Sequence, residues 1–230
     1  NDRFFQDQNM RKAFQALVKK LFKENTDQIA SLPRRFRSDF QTFLPLQAGR
    51  LPDTEVDRII AEGEPFIGEL IERSKTTPIR TAISGTLSYV VPLLQKTGLV
   101  FENADIKSAL EVFDEMYKKN SFDVLAMGAS VHTSDPDGIY HLLGRHGAIT
   151  SQMIQREKVA QQLETGRLLT DINEIRSHYE NVNRTILAEV PGVHVGFSSS
   201  NYVFNPKIVR VNQEYIERHF DLFWKIFKVK

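Results

Sequence analysis

Apolar positions along this chain recur mostly at intervals of three and four residues. Phe14, Leu17, Val18, Leu21 and Phe22 form one such face and predict a helix over about residues 4–24. Pro33 ends the element that follows, and Phe36, Phe40 and Phe43 suggest a second helical piece before Pro45 and Pro52. Asp53 reads as an N-cap for a helix that turns Val56, Ile59 and Ile60 inward. Pro65 either kinks that helix or divides it from Phe66, Ile67, Leu70 and Ile71. Ile79, Ile83, Leu87, Val90, Val91 and Leu94 predict a helix over 77–96, with Pro78 at its first position and Gly98 as C-cap. Ile106, Leu110, Phe113 and Met116 predict another, ending near Asn120. Pro136, preceded by Ser134 and Asp135, reads as a further helix start.

The longest predicted element follows. From Met153 to Leu187 the apolar residues keep helical spacing without a proline, which implies one long helix near 150–190 of up to about 40 residues and about 60 Å. It either breaks near Gly166 or stands out as an elongated arm. Only Val193–Phe197, Ser198–Asn201 and Tyr202–Phe204 carry an alternating pattern, so at most a small β-hairpin is expected over 193–204. Residues 207–230 read as a final helix. The expected fold class is all-α, a multi-helix bundle in a single domain over 1–230, with amphipathic arms at 1–31 and 207–230.

Charge changes this picture more than composition does. The 230 residues carry 30 Lys+Arg and 29 Asp+Glu, a net charge of +1. Residues 1–37 hold nine bases and four acids, and residues 207–230 six and three, so ends of +5 and +3 flank a centre of −7. Seven of the 16 Phe lie in the first 43 residues, and Phe220, Phe223, Trp224 and Phe227 form a stripe behind Ile216. Basic, aromatic amphipathic helices of this kind dock on anionic surfaces or in a partner's groove. The competing reading of each turns its aromatic stripe to the core and its charges to solvent. The candidate binding residues are therefore Arg11, Lys12, Lys19, Lys20, Lys23, Arg34, Arg35 and Arg37 at one end, with Phe220, Phe223, Trp224, Phe227 and Lys228 at the other.

Catalytic chemistry finds little support. There is no cysteine, which removes thiolate ligands, disulfides and cysteine nucleophiles. His132, Asp135, Asp137, His141 and His146 are metal-competent types, but their spacing matches no metal motif, and capping accounts for the aspartates. No phosphate-binding glycine motif and no Gly-x-Ser-x-Gly elbow is present. Asn183-Arg184-Thr185 lies inside a helical pattern, where no glycan acceptor is expected. No catalytic residue, metal or cofactor is predicted, and the chain is expected not to be an enzyme.

Gln155-Arg156-Glu157-Lys158, the run Asn181 to Glu189, and Tyr215-Ile216-Glu217-Arg218-His219 resemble the long final helices of sorting-nexin-type BAR domains. The prolines at 33, 45, 52, 65, 78 and 92 depart from that family's uninterrupted early helices. The resemblance implies contact with membranes. The functional expectation is a non-enzymatic helical scaffold or adaptor that binds a protein partner, self-associates or meets anionic lipid through its basic aromatic ends. The alternative is a nucleic-acid-binding, nucleoprotein-like domain. No transmembrane span is expected, and the expected location is cytoplasmic with peripheral membrane attachment.

Overall fold

The computed structural model describes residues 4–25, 36–43, 47–84, 90–107, 111, 122–126, 128, 136–147, 156–198, 209–211 and 227–229. After a 3-10 turn at Phe4–Gln6, helix α1 runs Gln8–Glu24, its N-terminus capped by Asp7, whose side chain accepts from the Asn9 amide. Met10, Ala13, Phe14, Ala16, Leu17, Val18, Leu21 and Phe22 are all buried, so apolar residues cover more than one face and the helix is central rather than a free arm. Each of the larger side chains among these contributes roughly 1.5–3 kcal/mol on burial, against at most about 1 kcal/mol for an exposed ion pair, so packing and not lysine contacts fixes this helix.

Around α1 lie α2 (Asp53–Ala61) and α3 (Ile67–Thr76), separated by a 3-10 turn at Glu64–Phe66 that carries Pro65. Pro65 thus divides two helices, and Pro52 rather than Asp53 occupies the N-cap of α2. Val56, Ile59 and Ile60 of α2 pack with Ala16 and Leu51, as their spacing predicts.

The segment beyond departs from the all-α expectation. Strand β1 is Phe36–Ser38, β2 is Ile79–Ser84, β3 is Phe101–Lys107 and β4 is Val124–Ala126, with a short helix α4 at Val90–Gln95. β3, β2 and β4 form a three-stranded parallel sheet in that order, with Ile79 opposite Phe101, Ile83 opposite Ile106 and Thr81 opposite Val124. Residues 79–84 and 103–107, expected to be helical, are therefore strands, as are Phe36–Ser38 of the expected second helical piece. The reason is burial on both faces. Ile79 and Ile83 on one face and Ala82 on the other are all buried, and their spacing of three and four does not distinguish the strand from a buried helix.

The second half holds a 3-10 turn at Pro136–Ile139 leading into α5 (Tyr140–Leu143), then α6 (Arg156–Gly166) and α7 (Ile172–Glu189). The predicted long helix near 150–190 is thus two helices. They break at Gly166, where a Cβ would lie 2.8 Å from Tyr179 Cζ. Folding back lets Val159 and Leu163 bury with Phe43, Tyr179, Val182 and Ile186, which a continuous helix would keep apart. The restart at Asp171 is capped by its own carboxylate, which accepts from Asn173 and Glu174 amides. This break also removes the BAR-like reading of the segment.

Two antiparallel ribbons complete the described chain. β5 (Gly196–Ser198) pairs with β1, Arg37 standing opposite Phe197; Tyr202–Phe204, the expected second arm of a hairpin, lie outside the described residues. β6 (Val209–Val211) pairs with β7 (Phe227–Val229), Arg210 opposite Lys228. Strands at both ends of 207–230 correct the expectation of one helix there. Among the described residues no helix is long and apolar enough to cross a membrane.

Candidate functional site

The parallel sheet sets where a ligand can sit. β2 is first in sequence and central in space, with β3 on one side and β4 on the other, so the strand order reverses between β2 and β4. In open α/β sheets ligands bind outside the carboxyl ends of the strands at such a switch point. Here those ends are Ser84, Lys107 and Ala126. The opposite end is fixed by Arg80 and Asp123. Nε and Nη2 of Arg80 donate to the Asp123 carboxylate at 3.1 and 2.8 Å, while the Asp123 amide donates to Arg80 O at 2.8 Å. The hydrogen bonds to Asp123 hold the Arg80 guanidinium above its ordinary pKa. Among the described residues, then, the amino end of the sheet is clamped by a charged pair.

A second polar group lies between the helices and β1. The Gln41 side chain pairs with Leu51 as a backbone would, accepting from its amide at 2.8 Å and donating to its carbonyl at 3.0 Å. Asn183, fully buried on α7, donates to Gln41 Oε1 at 3.1 Å and to Gly49 O at 2.9 Å. Arg50 bonds Asp39 at 2.7 Å and Asp53 at 3.3 Å. His194 Nδ1 lies 3.0 Å from Asp39 O, and burial pushes the imidazole below its ordinary value. These residues anchor the β1–β5 ribbon to the helices. Sequence reading passed over them, although Asn183 stands on the apolar face made by Tyr179, Val182 and Ile186, a position where a polar residue signals a buried bond.

The predicted binding residues are not brought together. Arg11 is only 5% exposed, and donates to Glu189 O at 3.0 Å and to Phe5 O and Gln6 O at 2.9 Å, so it caps the carboxyl end of α7 and the first 3-10 turn. Burial lowers its pKa, while Glu189 and Asp7 act against that. Lys12 pairs with Glu62 at 2.9 Å, Lys19 with Asp57, and Lys20 approaches Glu24 at 4.0 Å. Lys12 and Lys19 of α1 are thus matched by acids of α2 and the turn after it. Lys23 and Arg37 are exposed, Arg34, Arg35, Phe220, Phe223 and Trp224 lie outside the described residues, and Phe227 and Lys228 belong to β7.

Metal binding gains no support: among the described residues no group of three or more His, Asp or Glu could hold an ion. His141 and His146 are exposed, and His132 and Asp135 lie outside the described residues. Asn183, in the glycan-like motif, is buried.

No family model matches the chain, and neither does any curated protein sequence. Solved structures do match. AppA from Clostridium difficile aligns at a TM-score of 0.66 and 10% identity, over 99% of this chain and 48% of that one. The unliganded open form of MppA, a periplasmic murein tripeptide binding protein, aligns at 0.64 and 11%, over 84% and 39%. OppA of Haemophilus influenzae in complex with RPPGFSPFR aligns at 0.60 and 12%, over 85% and 40%. The chain spans less than half the length of these proteins. Their mixed α/β fold overturns the all-α bundle. With it falls the cytoplasmic scaffold or adaptor acting through amphipathic end helices, and the nucleic-acid alternative: the neighbours named for a function are binders of small ligands, and the N-terminal helix that was to do the binding is core.

Proposed function

We propose that this chain is part of a non-enzymatic substrate-binding protein whose ligand is a short peptide, and that the carboxyl edge of the β3-β2-β4 sheet forms one wall of the site. The observation that carries this reading is the fold likeness to MppA and OppA over 84% and 85% of the chain, combined with a parallel sheet whose order reverses at β2. The edge fits the role physically. A switch point leaves a crevice beside strand ends, and peptide main chain presents the donors and acceptors that such ends can meet. The partner is then a peptide rather than a folded protein, a lipid or a nucleic acid. A location outside the cytoplasm, as for MppA, accompanies the proposal.

The test is a thermal-melt screen of the full-length protein against pools of two- to five-residue peptides, followed by calorimetry on any pool that acts. A ligand at about 100 times its Kd stabilises by about 2.7 kcal/mol, which such melts resolve. Ala126→Trp, at the carboxyl end of β4, should remove the shift while leaving the unliganded melt close to that of the parent. Peptide pools that leave the melt unmoved at millimolar concentration would overturn the reading, as would an unaltered shift in A126W.

A further inference from the structure

Strand β4 carries little in its own sequence to say where it should sit. Val124, Leu125 and Ala126 are all apolar and all half-buried, so no alternation of polar and apolar positions tells one face from the other. Register is weakly specified in such a strand, because a slip of one residue exchanges one apolar residue for another on each face. The strand is also short. It meets β2 at Thr81 with Val124, Ala82 with Leu125 and Ile83 with Ala126, whereas β3 pairs along β2 from Ile79 to Ser84. The neighbouring Thr81 hydroxyl does not share the task, being buried without a hydrogen-bond partner among the described residues. On the other edge of β2 the pairing with β3 is irregular at the same place, jumping from Glu102 opposite Arg80 to Asp105 opposite Ala82.

Directional contacts concentrate instead just before β4. The Asp123 carboxylate, on a side chain only 8% exposed, accepts from the Arg80 amide at 3.0 Å and from Arg80 Nε and Nη2 at 3.1 and 2.8 Å. The Asp123 amide returns a bond to Arg80 O at 2.8 Å. A two-pronged guanidinium–carboxylate pair accepts little change in angle or offset, and here it is tied to the main chain of both residues. Moving β4 by one residue along β2 displaces it by about 3.3 Å, more than these bonds can follow. Glu102, the other acid that acts on Arg80, belongs to β3 and is exposed, so it does not hold β4.

We propose that Arg80 and Asp123 are positioning residues: their clamp at the amino end of the sheet locks β4 in register with β2, and so places the ligand wall at Ala126, about 10 Å further along the strand. The placing of the wall rests on the reading of the carboxyl edge as part of a peptide site. Both residues act through the strand and not by touching the ligand.

Two measurements on the full-length protein test the two parts of this claim. Hydrogen exchange reads the register without any ligand. In Asp123→Asn, which keeps the shape and removes the charge, exchange at amides 123–126 should rise about tenfold to a hundredfold, with the amides of β3 and α1 unchanged. Arg80→Lys keeps the charge and loses the fork. It is the milder change and should show the same pattern at smaller size, so the lock is still read if D123N does not fold. Calorimetry with pools of two- to five-residue peptides reads the wall, and binding should weaken about tenfold to a hundredfold in D123N and less in R80K. Arg11→Met, which loosens the end of α7 instead, is the control and should bind as the parent does.

Exchange at 123–126 that stays at the parent level in both variants overturns the register lock, as does a rise shared equally with β3 and α1. Exchange that rises while peptide affinity holds overturns the positioning role, and so does an equal loss of affinity in R11M. Pools that fail to bind the parent overturn the peptide reading and the positioning role with it, while the register lock is then decided by exchange alone.

Discussion

Replacing Asn183 with aspartate changes almost nothing in shape and removes the donor from two buried hydrogen bonds. Asn183 Nδ2 donates to Gln41 Oε1 and to Gly49 O, and the residue has no exposed surface. Alanine there removes both bonds. Gln41 Oε1 keeps the Leu51 amide, but Gly49 O loses this donor, and an unpaired buried carbonyl costs about 1–3 kcal/mol. The Asn183 Oδ1 atom, buried without a partner, disappears with the side chain and returns part of that cost. Asn183→Ala should therefore destabilise by about 2 kcal/mol. Asn183→Asp instead turns acceptors toward two acceptors and buries a charge, for which about 3–5 kcal/mol is expected. At this chain length 1 kcal/mol moves the melting temperature by about 2–4 °C, so N183D, about 1–3 kcal/mol worse, should melt roughly 2–12 °C below N183A. The sign of its pH dependence is also fixed. Burial raises the new carboxyl above its ordinary value of about 3.9, so the unfolded chain ionises first as pH rises and the deficit grows from acid to neutral pH. Thermal and urea unfolding of parent, N183A and N183D at about pH 5 and about pH 8, each variant referred to the parent at the same pH, measures both effects. An aspartate variant no less stable than the alanine one, or a deficit that does not shrink on acidification, would refute the donor geometry assigned to this site.

Three further outcomes follow from particular contacts. Gly63 sits so close to α1 that a Cβ would lie 2.1 Å from Lys12 O, a backbone atom, so Gly63→Ala should cost about 1–3 kcal/mol in urea titration and expose the α2–α3 turn to protease. Arg11→Met leaves the carbonyls of Phe5, Gln6 and Glu189 without their cation and should destabilise by about 2–4 kcal/mol, with exchange rising first at the end of α7. Lys12→Gln and Lys19→Gln, which break exposed pairs with Glu62 and Asp57, should each cost about 1 kcal/mol or less at low salt, and the loss should vanish at high salt.

Local pattern alone determined the helices whose evidence is local. The face Phe14, Leu17, Val18, Leu21 and Phe22 marks α1, and Val56, Ile59 and Ile60 mark α2, because residues three and four apart meet on one side of a helix whatever lies elsewhere. Pro65 and Gly166 marked real boundaries for the same reason. The charge division into +5, −7 and +3 was legible too, but not its use. Lys12 and Lys19 meet Glu62 and Asp57, residues about 40 to 50 positions away, so these two bases of the N-terminal segment are paired within the molecule.

Tertiary structure decided everything that depends on distant pairing. Ile79, Ile83 and Ile106 could lie on a helix or a strand, and their state was settled by partners: β2 needs β3 and β4, and β1 finds β5 only after some 160 residues. A strand leaves its hydrogen bonds unmade until such a neighbour arrives, so its sequence records burial without recording geometry. The same holds for Gln41, Asn183, Asp39 and His194. Each is an ordinary polar residue in the sequence, and each became an anchor because the fold closed water out around it and left specific backbone groups to be satisfied.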